Sequence, residues 1–469
     1  LSQNLDFDLV IIGSGPGGYV AAVRAGQLGL KTAIIEKDKS LGGTCLLRGC
    51  IPTKALLQNA SIYEQIKNAK EFGISTGEVT LDFGAVQKRK DKVVTQNSRG
   101  VDFLMKKNKV QVIHGIGRIE APGRVTVTDK EGKTQALQTK NILIATGSVP
   151  RSLPGVKLNG TTIITSDEAL ELKQIPRSMI VLGAGAVGVE FASIYSRFGA
   201  RITLIELLPR ILPLEDEEIC AELEKALKRQ MKIMTNTQIE SADTDGQGVQ
   251  IKIKGNPDPL NAEILLVAVG RGPYTDGLGL ENVEIETVKG YIPVDEFMRT
   301  GASGIYAIGD VVAIPNRAHP QLAHLASFEG ILAVEHMAGK EVRPINYDQV
   351  PSCTYCEPEV ASVGLTEAEA RRRGYDVRVG RFPFSANSRA RIMGESAGLV
   401  KIVSEARYDE VLGVHMVGPH VTDMIAEAGV ALKLESTSVE IFKTIHAHPT
   451  LTEAVMEAAH ATRGEAIHF

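Results

Sequence analysis

The chain has 469 residues, carries 52 basic against 56 acidic side chains for a formal charge of -4, and is 43% hydrophobic. That length suits about three domains with separate cores, and the near balance of charge excludes a nucleic-acid footprint or an acidic-membrane surface, leaving small-molecule chemistry as the expectation. No apolar run reaches the roughly 18 residues of a membrane span, and five cysteines are too few, and odd in number, for a disulfide scaffold, which suits a reducing compartment.

Leu1 in place of Met is read as processing or trimming. The first pattern is DLVIIGSGPGGYVAAVRAGQLGLKTAIIEK. A β-branched run ends at Gly13, a G-x-G-x-x-G follows on Gly13, Gly15 and Gly18, a helix runs towards Gly29, and a second strand closes at Glu36. The first glycine permits a tight turn, the second lets backbone approach a pyrophosphate, and the third lets helix pack on strand. The helix N-terminus then offers unpaired N-H groups and partial positive charge to phosphate.

Next comes LGGTCLLRGCIPTK, residues 41–54. Its two cysteines, Cys45 and Cys50, lack a second Cys or His pair at zinc-ligand spacing, so no metal is expected. A structural disulfide suits a cytosolic composition poorly, and the pair is read as redox chemistry. A disulfide needs Cα atoms within about 7 Å, whereas five residues of helix rise about 7.5 Å. The segment therefore cannot be an undistorted helix while oxidised, and Gly42, Gly43 and Gly49 supply backbone freedom. Lys54 would bring positive charge towards whatever Cys50 faces. Arg48 would lower a neighbouring thiol pKa if it turned inward; the preferred reading has it facing water.

ILIATG (142–147) reads as a buried strand ending at Thr146 and Gly147. The second pattern, SMIVLGAGAVGVEFASIYSRFGARITLIE, repeats the first: Gly183, Gly185, Gly188 and Glu206 each lie 170 residues after their counterparts. Two complete copies imply two dinucleotide sites with different cofactors and a hydride passing between them. A carboxylate at Glu206 suits both ribose hydroxyls and repels a 2'-phosphate, so NAD is favoured over NADP, with Arg201 and Arg210 as the opposing signal. Cys220, in EDEEICAELEKALKRQ, is a core-face candidate. NPDPL (256–260) is a turn or loop. LLVAVGRG brings a strand to Gly270, and GIYAIGD brings another to Asp310, an acid placed either for a flavin's ribityl hydroxyls or as a helix N-cap before VVAIPN.

From about residue 346 the pattern is α+β without fingerprints, as in GLVKIVS, VLGVHMVG and DMIAEAGVALKLE. Cys353 and Cys356 form CTYC, read as two semi-buried small residues of a strand. HAHPTLTEAVMEAAH closes the series, where Thr450-x-x-Glu453 behind Pro449 also matches a capping box.

GGTCLLRGCIPTK, the two fingerprints, GIYAIGD and HPTLTE together resemble the flavin-dependent disulfide reductases over essentially the whole chain, most nearly their lipoamide-oxidising branch. The resemblance implies an α/β fold with two Rossmann-like dinucleotide-binding domains, for FAD and NAD, and a C-terminal α+β dimerisation domain. The expected segments are 1–150 for FAD, 151–275 for NAD, 276–345 completing the FAD site, and 346–469 for the dimer interface. It implies FAD on Gly13, Gly15, Gly18 and Glu36, with Gly43, Thr44, Lys54, Gly115, Thr146, Gly147, Asp310 and Ala323 along the rest. NAD falls to the second fingerprint, Gly183, Gly185, Gly188 and Glu206; Gly270 joins the cofactor-binding residues, and Glu190 is matched to the acid that pairs with the flavin-side Lys54.

By the same resemblance Cys50 faces the flavin, Cys45 exchanges with substrate, and His448, oriented by Glu453, is the acid-base partner supplied across a homodimer; His446 is the neighbouring alternative. The implied partner is the lipoyl domain of a 2-oxo acid dehydrogenase acyltransferase. The implied compartment is the cytoplasm, or a mitochondrial matrix or plastid after loss of a transit peptide. A glutathione-reductase-like activity and a flavin-binding structural subunit are the rival functions. Mercuric reductases are set aside because no cysteine follows Cys356. Leu47 and Arg48 depart from the branch's usual Asn and Val.

Overall fold

The computed structural model describes residues 5–469; Leu1 lies outside them. Contacts divide the chain into two compact units that cut across the four sequence segments. One unit gathers the segment ending at Ala55 with Gly84–Arg151 and Gly270–Ile345, and the other gathers Leu56–Phe83, Ser152–Val269 and Asn346–Phe469.

In the first unit, β1 (Phe7–Ile12), α1 (Pro16–Gln27) and β2 (Thr32–Glu36) realise the first fingerprint. The two strands are buried on both faces, which is why they read as continuous apolar runs rather than alternating ones. β1 lies between β2 and a later strand, Thr134–Ile144, in parallel register, with Ile12 opposite both Ile35 and Ile144. Ile305–Ala307 adds a further parallel strand beside Thr134–Ile144, carrying GIYAIGD to the same strand ends. α1 packs along the helix Ala323–Met337 at a crossing of two glycines. A methyl on Gly330 would lie 2.6 Å from the Gly17 carbonyl oxygen, so neither helix can carry a side chain there.

The second unit contains a five-stranded parallel sheet in which Ser178–Leu182 is flanked by Arg201–Ile205 and Ile264–Val267. It also contains a five-stranded antiparallel sheet built on Leu399–Glu405 and Val411–Gly418. The helices Val421–Lys433 and Glu453–Ala461 pack on that sheet through Ile425, Ala428, Val455 and Ala458, all buried. An ion pair is buried in this unit: Lys401 Nζ meets Asp216 Oδ1 at 2.9 Å, with side chains 4% and 3% exposed. Among the described residues no helix is long and apolar enough to cross a membrane.

Candidate active site

The two fingerprints are stereochemical copies. Gly13 and Gly183 have φ of +107° and +99°, and a methyl on either would come within 2.3 and 2.4 Å of the carbonyl oxygens of Ala145 and Ala268. A methyl on Gly18 would sit 1.9 Å from the Gly13 oxygen, and one on Gly188 1.8 Å from the Gly183 oxygen. Gly15 and Gly185 differ in kind: nothing of the protein lies within 4 Å of where their side chain would project. Their bareness serves no packing, which fits a backbone surface kept clear for a pyrophosphate. Each caps its helix without a side-chain acceptor, and neither first turn holds an acid, so the helix N-termini stay available to an anion.

Glu36 and Glu206 also repeat one another. Glu36 accepts from the N-H of Ser14 at 2.9 Å and of Asp38 at 2.8 Å; Glu206 accepts from Ala184 at 2.7 Å and Leu208 at 2.9 Å. Each carboxylate is thereby locked at the lip of its cradle. Arg210, the opposing signal on coenzyme preference, pairs through Nη1 with the exposed Glu217 at 2.6 Å. Arg201 sits at the opposite end of its strand from Glu206.

The cysteine segment is broken, as a Cys45–Cys50 disulfide would need. A short helix, α2 (Gly43–Arg48), stops at Gly49, and α3 (Cys50–Lys67) starts anew. A methyl on Gly49 would lie 2.9 Å from the Thr44 oxygen, so only glycine permits so tight a joint, and Thr44 itself sits in α2. Gly43, at φ +57°, brings α2 against the first fingerprint, where a methyl would lie 2.5 Å from Gly15 Cα. Cys45 and Cys50 are half-buried free thiols that hydrogen-bond one another. That bond, then burial, holds the Cys45 pKa well above the ordinary thiol value, with Lys54 pulling the other way. Arg48 does not face water alone: it is ion-paired with Asp38, so its charge is committed away from the thiols.

Further along the first unit, the Thr146 hydroxyl donates to the Tyr274 carbonyl at 2.6 Å and Gly147, at φ +70°, leaves open space. Gly115, at φ +153°, abuts the Thr128 oxygen. Asp310 lies inside a one-turn helix, Gly309–Val311, whose N-cap is Ile308, which rules out the capping alternative. Its carboxylate accepts from Ser148 Oγ at 2.6 Å, and that oxygen accepts from Arg271 Nε at 2.7 Å.

A cavity of about 640 Å³ opens on Cys45, between Ala323 and a largely apolar wall that includes Ile51, Val101 and Leu104. Tyr19 and His324 also face it. Neither was singled out from sequence, although Tyr19 directly follows Gly18 in the first turn of the helix that leads away from the cradle. Burial first, and the charge of Cys45 second, raise the Tyr19 pKa.

In the second unit Glu190 is buried and accepts from the Tyr355 N-H at 2.9 Å. Gly270, the first residue of the stretch Gly270–Ile345 that belongs to the first unit, turns at φ +106°. His448 Nδ1 meets Glu453 Oε1 at 2.9 Å, while Glu453 Oε2 accepts from the Thr450 N-H at 2.8 Å. The helix starts at Glu453 with Thr452 as its N-cap, so Thr450-x-x-Glu453 is not a capping box; the carboxylate instead ties the preceding loop with one oxygen and meets the imidazole with the other. Burial pushes Glu453 up, but the Thr450 amide and His448 outweigh it and hold its carboxyl below the usual range. The His448 side chain is 71% exposed with Nε2 outward, whereas His446 is 5% exposed and bonded at both nitrogens, to Glu427 and the Thr444 carbonyl. Cys353 packs at the edge of the C-terminal core from the strand Ser352–Thr354, and Cys356 and Cys220 are buried. Among the described residues no group of three or more potential ligands is placed to hold a metal.

The family model described as pyridine nucleotide-disulphide oxidoreductase matches residues 7–330, and that of its dimerisation domain residues 350–459. The chain belongs to this family. Among relatives, it is 48% identical to dihydrolipoyl dehydrogenase of Bacillus subtilis over 99% of each chain. It is 44% identical to the mitochondrial dihydrolipoyl dehydrogenase of Pisum sativum, covering 98% of this chain and 92% of that one. The crystal structure of LpdA from Mycobacterium tuberculosis superposes with a TM-score of 0.90 at 28% identity, over 96% of this chain and 98% of that one. The cofactors of this pyridine nucleotide-disulphide oxidoreductase are FAD and NAD, and the two bare glycine cradles fit two dinucleotides.

Proposed function

We propose that the chain oxidises protein-bound dihydrolipoyl groups to lipoyl groups and passes hydride to NAD+, the activity for which its curated relatives are named. One observation carries the reading: a hydrogen-bonded thiol pair at a glycine-jointed helix break, beside a dinucleotide cradle and open to a mostly apolar cavity. An aliphatic dithiol arm suits that wall; a peptide with several charges does not. In this reading Gly13, Gly15, Gly18 and Glu36 hold the adenosine half of FAD, Asp310 its ribityl chain, and Gly183, Gly185, Gly188 and Glu206 hold NAD.

From the disulfide form, His448 takes the proton of one dihydrolipoyl thiol, held for that task by Glu453. The thiolate attacks Cys45 Sγ, the Cys45-Cys50 bond breaks, and Cys50 leaves as a thiolate. The second substrate thiol then displaces Cys45, closing the lipoyl ring. Bound FAD and NAD supply the electron-accepting chemistry that returns the pair to the disulfide.

His448 serves the cysteine pair of a second subunit in this reading, the lipoyl domain of a 2-oxo acid dehydrogenase acyltransferase delivers the substrate, and the small, odd number of cysteines favours the cytoplasm. Dihydrolipoamide-dependent reduction of NAD is the test, with glutathione disulfide and NADPH as the rival assay. Cys45→Ser should lower the first by about a thousandfold or more, while NADH still bleaches the flavin. Turnover within twofold of wild type would end the proposal.

A further inference from the structure

Glu329, on the helix Ala323–Met337, is 0% exposed, yet the sequence places it among apolar neighbours with no charge partner at helical spacing. Its carboxylate reaches two groups of the preceding loop. Oε2 accepts from the Gly309 N-H at 2.7 Å, and Oε1 lies 2.9 Å from His319 Nε2. The other imidazole nitrogen settles the direction of the proton. His319 Nδ1 lies 3.0 Å from the Gln321 backbone N and accepts its N-H, so it carries no proton of its own. The proton is therefore on Nε2, and His319 donates to Glu329 as a neutral ring.

This ordered chain grips one short turn from two sides. Gly309 is tied directly, and Gln321, a non-glycine residue held at φ +57°, places its side-chain amide 3.5 Å from the Asp310 carbonyl. A left-handed glutamine persists only where its surroundings over-determine it. The Asp310 side chain is anchored separately, by Ser148.

We propose that His319 is a positioning residue for FAD: with Glu329 it fixes the Gly309–Asp310 turn in the place from which Asp310 meets the cofactor. The inference rests on the reading of the first cradle as the FAD site. His319 touches no reacting atom in it.

Two substitutions separate the two ring nitrogens. His319→Gln keeps a donor at the reach of Nε2 and gives up the contact with Gln321. His319→Asn keeps an acceptor at the reach of Nδ1 and loses the bond to Glu329, leaving a buried carboxylate one donor short. Apoprotein of each is titrated with FAD by flavin fluorescence, and the melting temperature of each apoprotein is taken alongside. His319→Asn should weaken FAD binding about tenfold or more, His319→Gln should stay within about threefold, and the apoproteins should melt together. FAD affinities equal within twofold in all three proteins overturn the inference. So does a parallel loss in both variants matched by a parallel fall in apoprotein melting. A wild-type chain that bound no FAD would instead strike the functional reading itself, and this inference with it.

Discussion

Two histidines two residues apart show how the structure sorts like residues by partner. His446 has both nitrogens satisfied and is nearly buried, while His448 keeps one nitrogen outward and the other on a carboxylate. A buried carboxylate elsewhere gives a sharper quantity. Burial pushes Glu357 up to about 7; Arg197 opposes the shift, and Glu395, Glu359 and Glu64 reinforce it. Its folded value exceeds the ordinary 4.5, so its contribution is complete below that pH and is lost as pH rises through 7. Glu357→Gln should stabilise the protein by about 3 kcal/mol at pH 8 and leave it nearly unchanged near pH 4.5. Thermal unfolding at the two pH values checks this, and equal melting at pH 8 would refute it.

The strand-glycine-helix element, present twice, separates packing from binding by position. A methyl at Gly188 meets the Gly183 oxygen at 1.8 Å, so Gly188→Ala must push the helix off its strand, at about 1–3 kcal/mol. A methyl at Gly185 meets nothing, and its φ of -72° suits any residue. Gly185→Ala should therefore melt close to wild type while weakening NADH about tenfold, as read by titration; unchanged NADH affinity would show that the open cradle is not a nucleotide site. These elements were legible from sequence because a positive φ and a close backbone approach constrain the residue itself. The break between Cys45 and Cys50 was legible for the same reason. Tyr19, His324, the Arg48–Asp38 pair and the His319–Glu329 pair were not, since each depends on segments that meet only after folding. Asp310 left two readings open because a one-turn helix and a cap share the same local spacing.

For the molecule as a whole, chain order and compactness part ways: each unit draws on three separate stretches. The family assigns residues 350–459 to dimerisation, and in the proposed reading the exposed His448 has its use in a second copy. Hybrid dimers test this. A Cys45→Ser subunit paired with a His448→Gln subunit contains one whole site if the histidine acts across the dimer, and should recover about half the wild-type rate from two nearly dead parents. Recovery absent from purified hybrids would mean that each subunit works with its own histidine. The two glycine cradles match in turn geometry and close approaches, yet the first has Gly43 pressed against its second glycine. That single touch of main chain on main chain gives sulfur to one twin and withholds it from the other, so the division of labour between duplicated halves turns on a spacing that any side chain at position 43 would spoil.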